Sequence, residues 1–176
     1  MNIYHDIDSS RITPENFVAV IEIEKYGKNK YELDKQTGML ILDRILYTST
    51  HYPANYGFIP LTYSEDDDPL DVFVFCSHPI QPMSLVTCYP IGAVDMIDSE
   101  KKDTKIIAVP FGDPQYNTYK EIKDMPPHMI EELMHFLKVY KDLENKKTKI
   151  DAFHDSKYAK EQIAEARESY RHKFKK

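Results

Sequence analysis

Five of the seven residues in Glu65-Asp66-Asp67-Asp68-Pro69-Leu70-Asp71 are acidic, where the chain average predicts about one. Bare carboxylates packed this closely repel one another and raise each other's pKa, so the arrangement makes energetic sense around a divalent cation. Ligands that are all oxygen favour a hard ion, Mg²⁺, Mn²⁺ or Ca²⁺. From an extended segment Asp66 and Asp68 point the same way, and Pro69 stiffens the turn that brings Asp71 alongside, which predicts three convergent carboxylates. A solvated acidic turn is the alternative. A calcium loop of the EF-hand kind is excluded: counted from Asp66, the fifth position is Leu70, the sixth is Asp71 instead of glycine, and the twelfth is Ser77.

Further along, Asp98 and Asp103 bracket a hairpin turn, with Lys105 on the same strand face as Asp103. In Lys30-Tyr31-Glu32-Leu33-Asp34 the charged residues share one face and the apolar ones the other, a pattern that exposed strands also show. Arg44 interrupts the run Met39 to Leu46, which is otherwise apolar enough to be buried, and a buried arginine needs an anionic partner. Tyr52 and Tyr56 lie four apart beside Pro53 and Gly57, suited either to core packing or to donating phenol hydrogen bonds to an anion. Tyr140 and Lys141 end a helical pattern; Tyr140 lies on the apolar stripe, so core packing is its default, and a favourable charge near a helix C-terminus accounts for Lys141. Metal-binding acids beside Lys, Arg and Tyr donors together suit a small phosphate anion delivered with Mg²⁺.

The elements that position these residues are short. Strands are predicted over 17–23, 30–34, 39–46, 71–76, 84–94 and 105–111, with short connections at 35–38 and 99–102 that suit antiparallel hairpins. A small, strongly curved sheet or closed barrel follows. After Pro126-Pro127, Met129, Ile130, Leu133, Met134, Leu137, Tyr140 and Leu143 recur at helical spacing, predicting an amphipathic helix over the sheet. A second helix over 156–172 is less apolar and is expected at the periphery.

At 176 residues the chain is expected to form one domain, at about 150 residues per domain. A composition of 41% hydrophobic and 30% charged residues supports a buried core and excludes disordered, collagen-like and membrane-spanning classes. Net charge −6 speaks against nucleic acid or anionic lipid as partner. Cys76 and Cys88 form no CxxC pair, the N-terminus lacks a signal-peptide pattern, and no apolar stretch is long enough to span a membrane, so a cytoplasmic protein is expected. GxGxxG, P-loop, HExxH and GxSxG patterns are missing.

Asp66-Asp67-Asp68-Pro69-Leu70-Asp71-Val72 resembles the Asp-x-Asp-Pro-x-Asp signature of the family I soluble inorganic pyrophosphatases of bacterial type. The resemblance continues in order through Val20 to Ile23, Lys30 to Glu32, Asp43-Arg44, Tyr52 to Gly57, Asp98, Asp103, Lys105, and His135 to Glu144, covering about residues 17–144. It implies an α+β, mainly β fold: a five-stranded, OB-like closed barrel with two principal flanking helices. The implied reaction is Mg²⁺-dependent hydrolysis of pyrophosphate to two phosphates, with Mn²⁺ or another divalent ion as possible substitutes.

Carried over, Asp66, Asp71 and Asp103 resemble the main metal ligands, with Asp98 joining Asp103 at a substrate-associated ion and Glu22 and Glu32 supporting through water. Asp68 resembles the general base. Lys30, Arg44, Tyr56, Lys105, Tyr140 and Lys141 match phosphate-binding positions, and Tyr52 a supporting tyrosine. The family also implies a homohexamer, a dimer of trimers, in which His135 matches a contact histidine; Val139 stands where some bacterial members have another. Glu24, where many relatives have proline, a loop at 25–29 one residue shorter, and divergence over 111–115 are the other local departures. A non-catalytic metal-binding module leaves Arg44, Tyr56 and Lys105 unexplained, and an OB-type nucleic-acid binder conflicts with the acidic site.

Overall fold

The computed structural model describes residues 1–174. Eight strands are present: β1 (Phe17–Ile23), β2 (Asn29–Leu33), β3 (Leu40–Ile45), β4 (Asn55–Ile59), β5 (Leu70–Val74), β6 (Leu85–Asp98), β7 (Lys101–Pro110) and β8 (Thr148–His154). Two helices, α1 (Pro127–Val139) and α2 (Ser156–Phe174), complete the architecture. One sheet runs β1-β4-β5-β7-β6-β8, and β1 also pairs with β6, so β1, β4, β5, β7 and β6 close into the five-stranded ring the sequence implied. β8 extends β6 outside that ring, and β2 with β3 forms a separate hairpin.

The ring strands are apolar on both faces, and strand alternation divides their side chains between two cores. Val72, Val74, Ile106 and Ala108 pack in the cluster that contains Ala159 and Ile163 of α2. Their neighbours Phe73, Phe75, Ile107 and Val109 pack with Leu133, Phe136 and Leu137 of α1. α2 is therefore a core element, which corrects its expected peripheral place: Ala159, Ile163, Ala166 and Tyr170 form a buried stripe at four-, three- and four-residue spacing. Two of the four are alanines, and that small stripe looked weak beside the helix's many charges.

β4 and β8 are additions to the predicted strands. β4 contains Gly57, which resembles a turn signal in sequence. Glycine is required here because a Cβ would sit 1.8 Å from the Val20 carbonyl oxygen, where β4 crosses β1. The apolar run of β3 is exposed, with Ile41, Leu42 and Ile45 each about half accessible, so Arg44 does not interrupt a buried strand as expected. The β2–β3 hairpin stands off the ring instead, with its hydrophobic residues partly in solvent. α1 stops at Val139, and Leu143, expected on its stripe, is exposed in a following 3₁₀ turn.

Candidate active site

β5 and β7 pair in parallel with Asp71 opposite Lys105, while β6 and β7 pair antiparallel with Met96 opposite Asp103. This register brings Asp71 and Asp103 to the same end of the ring. The 64–69 turn, with Asp67 at φ 65°, adds Asp66. One carboxylate oxygen from each of Asp66, Asp71 and Asp103 lies within 4.8 Å of the others, and among the described residues no other trio of His, Cys, Asp or Glu converges in this way. The segment is a turn and not the extended stretch the alternation argument assumed. Asp68 consequently leaves the trio, and its Oδ1 accepts from Lys35 instead.

Lys105 is buried and donates to Asp71 Oδ2 at 2.9 Å and to the Tyr56 hydroxyl at 2.9 Å, with Asp103 Oδ2 at 3.2 Å. Burial pulls its pKa down, but Asp103 and Asp71 outweigh that and hold the ammonium well above its usual range. Burial, then the neighbouring Asp71, Asp103 and Asp68 charges, pushes the Asp66 carboxyl up to about 7. Asp103 is also raised, chiefly by burial, with Lys105 opposing and Asp71 adding to the shift. Glu22 of β1 is buried, and desolvation lifts it to about 8 although its Oε2 accepts from the Leu33 amide at 2.7 Å. Against the upward pull of burial, the hydrogen bond and charge of Lys141, whose Nζ is 2.8 Å from Asp98 Oδ2, hold Asp98 below the usual carboxylate range.

These groups line a cleft of about 460 Å³ that also contains Lys30, Glu32 and Lys35 of the hairpin, Asp68, Tyr140 and Lys141. Among the described residues, eight carboxylates face it against four lysines. Like charges at about 5 Å repel by ~3 kcal/mol at an effective dielectric of about 20, so the fully ionised cleft calls for cations. The oxygen-only trio fits a hard divalent ion in its chemistry, and the burial that raises Asp66 and Asp103, together with their mutual repulsion with Asp71, is what a cation among them would offset. Two other clefts, of about 530 and 590 Å³, have no such trio.

Of the residues singled out from sequence, Glu22, Lys30, Glu32, Tyr56, Asp66, Asp68, Asp71, Asp98, Asp103, Lys105, Tyr140 and Lys141 all face the cleft. Arg44 and Tyr52 do not line it. Arg44, opposite Lys30 in the hairpin, pairs with Asp43 and has its Nε 2.7 Å from Glu144 Oε1, out of line for a good hydrogen bond. Tyr52 lies behind the wall, its ring centroid 5.2 Å from that of Tyr56 and 4.7 Å from that of Phe136. Three participants went unread: Lys35, Tyr4 and Glu144. Lys35 was visible as a basic residue in a predicted turn, but its meeting with Asp68, 33 positions away, is a tertiary fact. Tyr4, whose hydroxyl donates to the Thr62 carbonyl at 2.8 Å, belongs to an N-terminal segment without a legible pattern.

A closed β-ring carrying an acidic, cation-competent cleft with buried Lys and Tyr donors defines a class of phosphate-handling enzyme. Comparison with known proteins narrows it. The family model described as inorganic pyrophosphatase matches residues 19–171. The soluble inorganic pyrophosphatase of Zea mays is 44% identical over 167 residues, covering 95% of this chain and 78% of its own. Solved inorganic pyrophosphatases from Helicobacter pylori (37% identical, TM-score 0.90, covering 94% of this chain and 99% of that one) and Thermus thermophilus (34%, TM-score 0.91, 97% and 99%) share the fold. The chain belongs to the inorganic pyrophosphatase family.

Proposed function

We propose that this chain hydrolyses inorganic pyrophosphate to two phosphates in an Mg²⁺-dependent reaction, by direct attack of water and without a phosphorylated enzyme. The observation that carries the reading is the Asp66-Asp71-Asp103 trio next to a buried Lys105 that also reaches Tyr56. Asp66, Asp71 and Asp103 would hold the ions, with Asp71 shared between sites, Asp98 contributing with Asp103, and Glu22 and Glu32 supporting through water. Divalent ions supply Lewis-acid polarisation of the phosphoryl oxygens and lower the pKa of the attacking water.

Asp68 then takes the water's proton through Oδ2, the oxygen that Lys35 does not hold. Lys30, Arg44, Lys105, Lys141 and the hydroxyls of Tyr56 and Tyr140 bind the substrate oxygens and meet the charge that develops on them. Burial keeps the Tyr56 phenol protonated, and because its oxygen already accepts from Lys105, its own proton is available to substrate. Tyr52, raised by burial in the same way, buttresses Tyr56 from behind.

We further place the chain in the cytoplasm as one domain over 1–176, assembled as a hexamer of two trimers. The free Cys76 and Cys88 support a reducing compartment, no described helix is long and apolar enough to cross a membrane, and His135 is exposed on α1. The test of the activity is phosphate release from pyrophosphate with and without Mg²⁺. Strong release that EDTA abolishes is expected; no release with any divalent ion refutes the reading.

A further inference from the structure

Asp95 of β6 is 4% exposed, and four side chains converge on its carboxylate from three other elements. Thr104 Oγ1 of β7 donates to Oδ1 at 2.7 Å. Oδ2 accepts from the Tyr158 hydroxyl of α2 at 2.5 Å and from His154 Nε2 of β8 at 3.0 Å, and Lys102 Nζ of β7 is 3.7 Å away. Lys102 also donates to the Tyr158 oxygen at 2.9 Å, and the His154 and Tyr158 rings stack with centroids 3.8 Å apart. An ionised carboxylate only accepts, so the imidazole nitrogen facing it carries a proton.

The placement of this network ties it to the cleft. Lys102 and Thr104 flank Asp103 on β7, and strand alternation sends their side chains to the face opposite Asp103 and Lys105. Asp95 pairs with Thr104 across the β6–β7 ladder, and its neighbour Met96 pairs with Asp103. On the other side of β6 the pairing with β8 shifts register between Asp95 and Met96. The sheet thus carries an irregularity directly beside Asp103. Beyond that point β6 and β7 run on, with β8 still paired to β6 as far as Asp98 opposite Thr148, to a turn at Ser99 and Glu100, both at positive φ, and this β6–β7 arm carries Asp98 as well.

We propose that Asp95, with Thr104, His154 and Tyr158, is a positioning network that fixes the β6–β7 arm from behind and so sets where Asp103 and Asp98 present their carboxylates to the divalent ions. The proposal rests on the functional reading above. A fully satisfied buried polar network is rigid, and removing one donor leaves a buried acceptor unpaired next to the register shift. Partners behind a metal ligand typically contribute ~10–100-fold in metal affinity. Asp95 acts through the residues flanking Asp103, so the lower end, about tenfold, is the expected effect.

The test uses the full chain with Tyr158→Phe, Thr104→Val, His154→Phe and His154→Gln, read by calorimetric titration with Mg²⁺ and by the Mg²⁺ dependence of phosphate release. The first three are expected to weaken Mg²⁺ binding about tenfold and to raise the Mg²⁺ needed for half-maximal hydrolysis by the same factor, with kcat and KM for pyrophosphate near parental once Mg²⁺ saturates. His154→Gln keeps a donor toward Asp95 and is expected to bind Mg²⁺ like the parent. If folded variants melt lower but bind Mg²⁺ with parental affinity, the network only holds α2 and β8 in place and the proposal is overturned. A parent chain that binds Mg²⁺ yet releases no phosphate overturns the functional reading instead, and the calorimetric comparison still decides this one.

Discussion

Replacing a carboxylate of the trio should stabilise the metal-free protein while weakening its response to Mg²⁺. Asp66→Asn is the clearest case, because Asp66 is raised from 3.8 to about 7. A group held more tightly protonated in the native state contributes its full stability below the unfolded pKa and loses it as pH rises toward the folded one. The metal-free parent therefore loses stability between about pH 4 and pH 7 on account of Asp66, and the asparagine variant does not. Taken in full, a shift of about 3 units at ~1.4 kcal/mol each corresponds to ~4 kcal/mol by pH 8. Asp66 is partly exposed, and solvent screening reduces this to about 2 kcal/mol.

For a chain of this size about 2 kcal/mol raises Tm by roughly 4–8 °C. The assay is thermal unfolding followed by circular dichroism in EDTA at pH 4, 6 and 8, repeated in Mg²⁺. The variant should melt above the parent at pH 8 in EDTA, match it at pH 4, and gain less from Mg²⁺. A variant no more stable than the parent at pH 8, or one whose advantage is equally large at pH 4, refutes the claim that uncompensated carboxylates strain this site.

Asp68→Asn should lower kcat by roughly 10²–10⁴-fold and leave calorimetric Mg²⁺ binding close to parental, since Asp68 stands outside the trio; near-normal turnover means that it is not the base. Saturating the protein with Mg²⁺ at pH 7 should release roughly one proton per chain from Asp66 and Glu22, read from the buffer dependence of the binding enthalpy, and almost none at pH 10. Ile163→Ala should cost about 2–5 kcal/mol in denaturant unfolding, as expected for a fully buried side chain, whereas a cost under ~1 kcal/mol would mean that α2 is not core.

Seven of the eight acids of the cleft were legible because each carries a local signal: a charge run at 65–71, a charged hairpin at 98–105, an alternating strand at 30–34; Glu22, inside the apolar run of β1, was read only through the family resemblance. Local pattern alone could not show which of them meet; the grouping of Asp103 with Asp66 and Asp71 came only from the family resemblance. Asp103 joins Asp66 and Asp71 through the parallel β5–β7 pairing, a long-range register that no local pattern encodes. Local alternation instead grouped Asp68 with Asp66 and Asp71, and a left-handed Asp67 sends it elsewhere. The same limit explains the strands. β4 is buried along its whole length and carries glycine at a crossing, so it shows neither alternation nor an unbroken run. β8 alternates too weakly, with Lys149 and Asp151 exposed along the outer strand. The apolar run of β3 gave the opposite error, since hydrophobicity alone does not tell a buried strand from a free-standing hairpin.

Net charge −6 speaks against polyanions as partners, yet the proposed substrate is an anion, and Lys105 shows how the two fit. In the metal-free protein its ammonium is shared among Asp71, Asp103 and Tyr56, so the buried cation best placed to meet a phosphate is already neutralised. Cations held by Asp71 and Asp103 would draw those carboxylates' charge to themselves and leave Lys105 free for the incoming oxygens. On the proposed reading the acids would then act as a gate: a bare cleft with eight carboxylates and four lysines repels an anion, and an ion-loaded one would attract it. Inorganic phosphate titrated into the protein should accordingly show no measurable binding in EDTA and clear binding at saturating Mg²⁺, and Lys105→Met should remove most of the Mg²⁺-dependent affinity. Equal phosphate affinity with and without Mg²⁺ would refute this order, because it would mean that Lys105 and its fellow donors face the anion without first being released by a cation.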